Sequence, residues 1–71
     1  MKISINPNSW TDISQGSCTI TSTSTTELIK FQESDKVVGE SYLNTPLIIL
    51  SNTGIKAKSY RRTVEIDVED L

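Results

Sequence analysis

From residue 63 to residue 69 polar and apolar side chains alternate without a break. Val64, Ile66 and Val68 fall on one side, and Thr63, Glu65, Asp67 and Glu69 on the other. A period of two belongs to a β-strand with one face in a core and the other in water. The pattern recurs in shorter form at Ile3 and Ile5, at Cys18 and Ile20, at Ile29 and Phe31, and at Ile55, Ala57 and Ser59. Composition agrees with it. Nine Ile, four Val and nine Thr stand against one Ala, Ala57. β-Branched side chains are stiff at χ1 and pack well on a pleated surface, whereas Ala is the best helix former. The chain is therefore expected to be all-β.

Turn residues divide it into about seven short strands. Asn6-Pro7-Asn8-Ser9 and Gln15-Gly16 read as turns, and Asn52-Thr53-Gly54 reads as a hairpin connection with Gly where φ is positive. Strands are expected over 2–5, 10–14, 17–23, 27–32, 47–51, 55–60 and 63–69. Ser22, Thr23, Ser24, Thr25 and Thr26 read as a polar hairpin connection plus a solvated strand end, and residues 33–42 as a polar loop within which Val37-Val38 could pair briefly. Short strands at this spacing predict a small antiparallel β-sandwich or barrel, with residues 1–71 forming one domain.

Seventy-one residues bury only about 60% of the surface that the unfolded chain exposes. Hydrophobic residues are 35% of the chain, so its own core is thin. Small domains of this kind lean on disulfides, a metal or a partner chain. One Cys, Cys18, excludes an internal disulfide, and with no His a structural zinc site is not expected. A second copy of the chain remains, or an unusually efficient small β-core, and a homo-oligomer is predicted. The aliphatic run Leu47, Ile48, Ile49 and Leu50 reads as a strand buried on both faces, or buried on one and covered by a neighbouring subunit on the other. With Trp10 and Ile55 it forms the candidate oligomer interface.

The same absences narrow the chemistry. Without His there is no Ser–His–Asp triad, no Cys–His pair and no ordinary base near neutral pH. Neither catalytic residues nor a cofactor nor a metal is expected. Nine acids against seven bases leave a net charge of −2, which does not suit a dedicated nucleic-acid binder. The N-terminal residues lack the apolar stretch of a secretory signal, and four consecutive aliphatics are far short of a membrane span. Synthesis in the cytoplasm is expected.

Three groups are candidate sites. Lys56, Lys58, Tyr60, Arg61 and Arg62 form the one basic cluster; it is either a solvated strand face or a partner-binding patch that contacts phosphates. If the Lys56/Lys58 strand lay beside the Glu65/Asp67/Glu69 strand, cross-strand ion pairs would follow. The carboxylates Asp67, Glu69 and Asp70, like Glu33 and Asp35, read as solvated faces rather than cation sites. Trp10 and Tyr42 offer a sugar platform, although a lone Trp in a small β-domain is more often a core or interface anchor. Cys18 reads as a small buried hydrophobe.

The order of these features resembles small β-structured virion and accessory proteins of tailed bacteriophages and prophages. The likeness runs over residues 10–69. It is carried by Trp10, Gly16, the alternating strand at 19–21, the strand at 28–31, the acidic loop at 33–35, the aliphatic run at 47–50, Ile55-Lys56-Ala57-Lys58-Ser59, and the last strand at 64–68. Arg61-Arg62 departs from the pattern, since Gly is more usual there. The resemblance implies a non-enzymatic virion component: a capsid decoration, head–tail or tail accessory protein. It would pair with itself, a trimer being one such assembly, and with other virion proteins. The alternatives are a small carbohydrate- or surface-binding module, or a phage regulator that grips a host protein or nucleic acid through residues 56–62.

Overall fold

Residues 1–22 and 26–71 are described by a computed structural model; Thr23, Ser24 and Thr25, the middle of the expected polar connection, lie outside the described residues. Eight strands follow in order: β1 (Lys2–Ile5), β2 (Thr11–Ser14), β3 (Cys18–Ser22), β4 (Ile29–Glu33), β5 (Lys36–Ser41), β6 (Leu47–Ile49), β7 (Ile55–Ser59) and β8 (Val64–Asp70). They form two four-stranded sheets, β1-β8-β3-β6 (sheet I) and β2-β7-β4-β5 (sheet II), with every pairing antiparallel. This order, 1-8-3-6 facing 2-7-4-5, is that of an eight-stranded jelly roll. Apart from β4 and β5, consecutive strands sit in opposite sheets, so most connections cross the sandwich.

Alternation builds the core as expected. Sheet I turns Ile5, Cys18, Ile20, Val64, Ile66 and Val68 inward. Sheet II answers with Ile13, Ile29, Phe31, Ile55 and Ala57, and Leu43 closes the core from the connection after β5. In register Ala57 stands between Thr11 and Phe31, which places the smallest core side chain beside the largest. A bulge shifts β2 against β7 between Asp12 and Ser14, and another shifts β4 against β5 between Phe31 and Gln32.

The turns are tied by short polar side chains. Asn6 Oδ1 accepts the N–H groups of Asn8 (2.9 Å) and Ser9 (3.2 Å), an Asx turn. Ser51 Oγ accepts from the N–H groups of Thr53 (3.1 Å) and Gly54 (3.0 Å) and donates to Glu33 Oε2. Ser17 Oγ accepts from the Ser51 N–H at 2.8 Å, joining this turn to the one before β3. Gly54 has φ +110°, the positive value read from the sequence.

Four expectations change. Residues 33–42 are not a loop: β5 runs through them and pairs with β4. As an edge strand exposed on both sides, it has no inward face to print an alternation on the sequence. Residues 47–50 are not buried on both faces within the chain. β6 ends at Ile49 and forms an edge of sheet I, where Leu47 and Ile49 pack against the core while Ile48 is 61% and Leu50 75% exposed. Asn52-Thr53-Gly54 does not close a hairpin, because β6 and β7 belong to different sheets. For the same reason the Lys56/Lys58 strand and the Glu65/Asp67/Glu69 strand are not neighbours, and no cross-strand ion pairs join them. Among the described residues no helix is long and apolar enough to cross a membrane.

Candidate binding face on the second sheet

The outward parity of β4 and β7 decides what sheet II shows to solvent. Phe31 and Ala57 point inward, so Lys30, Gln32, Lys56 and Lys58 point outward. Lys30 and Lys58 are direct register partners, and Gln32 and Lys56 are the next outward pair. Like charges set opposite each other cost roughly 0.2–1 kcal/mol. Each ammonium is drawn over a ring instead: Lys58 Nζ lies 5.6 Å from the Trp10 centroid, and Lys30 Nζ 5.9 Å from that of Tyr60. The Arg61 guanidinium also lies 5.5 Å from the Tyr60 ring. Exposed cation–π contacts of this kind return about 0.5–1 kcal/mol each.

The turn after β7 is built around a carboxylate. Glu27 is 3% exposed, and its Oε2 accepts the backbone N–H groups of Tyr60 (2.9 Å), Arg61 and Arg62 (2.8 Å). Three successive N–H groups converge on one oxygen, as in an anion-binding nest. The Arg61 N–H bond, with that of Arg62, holds the carboxyl below its ordinary range; the Tyr60 N–H and the Arg62 charge add to this and burial opposes it. The negative charge of Glu27 is thus spent on the backbone, and the side chains of Tyr60, Arg61 and Arg62 are free to project. Arg62 Nη2 donates to Thr26 Oγ1 at 2.8 Å.

These side chains wall an open groove of about 700 Å³ whose principal residues are Lys30, Glu40, Tyr42, Tyr60, Arg61 and Arg62. Glu40 stands opposite Lys30 in register. Among the described residues the ion pairs all lie at sheet I: the N-terminal ammonium of Met1 with Asp67 (2.9 Å) and Glu69 (3.2 Å), and Lys2 with Glu65 (4.0 Å). Among the described residues the cations of sheet II close no ion pair, although Glu40 and Asp12 stand opposite Lys30 and Lys56 in register. The strands of sheet I carry four acids and one Lys, whereas those of sheet II carry Lys30, Lys36, Lys56 and Lys58 interspersed with Asp12, Glu33 and Glu40.

The structure brings Lys56, Lys58 and Tyr60 onto this face, with Arg61 and Arg62 at its end. It does not bring the six interface candidates together. Trp10 is half-buried beneath Lys58 on sheet II; Ile48 and Leu50 are exposed at the far edge of sheet I; Leu47 and Ile49 lean on the core; Ile55, 1% exposed, is core. The acidic candidates are dispersed as well. Asp67 and Glu69 hold the Met1 ammonium, Asp70 accepts from Ser14 Oγ at 3.1 Å, and Glu33 accepts from Ser51. Among the described residues no three His, Cys, Asp or Glu side chains are grouped to hold a metal ion.

Sequence reasoning missed Glu27, Lys30 and Glu40 as parts of the face. Lys30 was legible in outline, since its neighbours Ile29 and Phe31 fix it outward. Glu27 carried no signal, because its partners lie more than thirty residues away in sequence.

No family model, no curated protein and no solved structure matches this chain.

Proposed function

We propose that this chain is a non-enzymatic structural and interaction protein that assembles with copies of itself, of the kind that tailed phages build into their particles. The observation that carries this reading is the β6 edge. Ile48 and Leu50 stand 61% and 75% exposed beside the unpaired side of an edge strand, in a domain whose own core is thin. An open, uncharged, aliphatic edge invites pairing with another strand, and natural monomers blunt such edges with Lys, Pro or bulges. A second copy meets the requirement with the same edge, and antiparallel pairing would continue sheet I across a twofold axis. Supporting the non-enzymatic part, the one thiol, Cys18, is buried and its pKa is raised by that burial, which makes it a poor nucleophile. Jelly rolls serve capsids and lectins alike, so the fold supports an assembly role by analogy only.

Light scattering behind a sizing column tests this. A native mass of at least twice 7.9 kDa at micromolar protein is expected, falling to the monomer in Ile48→Asp and Leu50→Asp. A monomeric wild type, or an oligomer indifferent to both substitutions, would overturn it. The unpaired cations of sheet II favour a second role, the docking of an anionic partner.

A further inference from the structure

We propose that the groove between β5 and the turn after β7 binds an acidic saccharide, a sugar carrying sulfate or carboxylate groups. This rests on the anion-docking role and names its ligand; it is independent of self-association.

The groove holds two kinds of partner at once. Lys30, Arg61 and Arg62 supply charge-assisted donors that close no ion pair among the described residues, although Glu27 attracts Arg62 and Glu40 stands opposite Lys30. Glu40 lies among them as a free acceptor, and the phenols of Tyr42 and Tyr60 can donate or accept. A DNA backbone offers phosphate acceptors and no donor for Glu40. A sugar ring offers hydroxyl donors for Glu40 and, on the same ring, an anionic substituent for the guanidinium groups.

The aromatic rings point the same way. Trp10 and Tyr60 already have cations drawn to their faces, which leaves them poorly placed to stack a base. Among the described residues no cation lies over Tyr42, which is 49% exposed. Its ring is available to the C–H face of a sugar. The volume, about 700 Å³, lies within the range of small-ligand sites and accommodates a short saccharide rather than a polymer duplex. The turn that presents Tyr60, Arg61 and Arg62 is held by Glu27, so the donors are set before a ligand arrives. The net charge of −2 and the acidic outer face of sheet I disfavour a long polyanion wrapping the molecule.

Calorimetric titration of the intact protein with four probes decides the matter: a heparin-derived tetrasaccharide, its desulfated counterpart, short single-stranded DNA, and inorganic sulfate. The sulfated tetrasaccharide is expected to bind tightest, with the desulfated sugar and sulfate alone at least about tenfold weaker. The pair Arg61→Ala/Arg62→Ala should weaken tetrasaccharide binding about tenfold or more, and Tyr42→Ala severalfold. Glu40→Ala removes the acceptor outright, which Gln would keep. Measured against both probes, it should favour DNA relative to the tetrasaccharide, because both lose a repulsion and the sugar alone loses an acceptor for its hydroxyls. All four positions are exposed, and thermal melts confirm the fold; should the double variant melt early, Lys30→Gln carries the same readout. The saccharide is overturned, with anion docking still standing, if DNA or sulfate binds as tightly or if Glu40→Ala leaves the ratio of the two affinities unchanged. Anion docking itself falls if no probe binds at millimolar concentration or if the Arg and Lys variants change nothing.

Discussion

The backbone N–H of Arg62 donates to Glu27 Oε2 at 2.8 Å, so a carboxylate standing ahead of β4 shapes the turn that leads into β8. The N–H groups of Tyr60 and Arg61 join it on the same oxygen. This turn crosses from sheet II to sheet I, where no ladder can satisfy those donors, and Glu27 does so instead.

Acid should therefore loosen the protein through Glu27. Its folded pKa is lowered, chiefly by the Arg61 and Arg62 N–H bonds, below the ordinary Glu value of 4.5. As pH falls the unfolded chain takes up the proton first, so the stabilisation is complete above the ordinary value and is lost as pH drops through the folded one. Glu27→Gln is expected to melt below the wild type at neutral pH, with the two melting temperatures converging in acid. Parallel curves at every pH would mean that the charge of Glu27 is immaterial.

Gly54 and Gly39 should respond oppositely to Ala. At Gly54 φ is +110°, and a Cβ would meet the Ser14 carbonyl oxygen at 3.1 Å. Gly54→Ala is expected to cost more than about 1 kcal/mol, read as a lower urea midpoint at unchanged slope. Nothing lies within 4 Å of a Cβ at Gly39, on the open edge strand β5, so Gly39→Ala should be neutral or gain a few tenths of a kcal/mol.

Ser59 faces the core in register with Ile29, and among the described residues its hydroxyl has no hydrogen-bond partner. A buried, unsatisfied hydroxyl costs about 1–3 kcal/mol. Ser59→Ala keeps the volume nearly constant and removes that cost, so the expected result is an equal or higher melting temperature. A marked fall would show that the hydroxyl is satisfied in solution, by an ordered water.

Cys18 lies on β3 with its thiol inside the sandwich, and burial pushes its pKa up. A thiol-reactive dye should label it only as fast as the sheets open. Native protein should react slowly and urea-unfolded protein at once. Equal rates would place the side chain outside the core.

How much of this could be read in the chain follows from what alternation records. Val64, Ile66 and Val68, or Ile29 and Phe31, declare an inward face because their strands lie in mid-sheet with one side wet. Val37 and Val38 belong to an edge strand with no buried side, so their pairing with β4 left no period to find. At Leu47, Ile48, Ile49 and Leu50 hydrophobicity tells of two faces wanting cover, and the chain itself covers one, which removes only the reading in which both are buried within the domain. Nor does any local pattern say which sheet a strand joins. That is why Lys56 and Lys58 were weighed against Glu65 and Asp67 as cross-strand partners although the sandwich lies between them. The basic face was half legible, as the outward parity of Lys30, Lys56 and Lys58, while its assembly at the Arg61–Arg62 turn depended on the long reach of Glu27.

The strand order also dictates a timetable. Of the six pairings, β4–β5 alone joins strands adjacent in sequence; β1 waits for β8, and β2 for β7. As the chain leaves the ribosome, Lys2–Ile5 emerges first and finds its hydrogen-bond partners last. Until then the β4–β5 hairpin is the one ladder that can form from neighbours, and closing the rest means drawing distant segments together at an entropic cost. A polypeptide of modest length thereby folds through mostly long-range pairings, more slowly than a set of hairpins would, with its aliphatic β6 edge uncovered meanwhile.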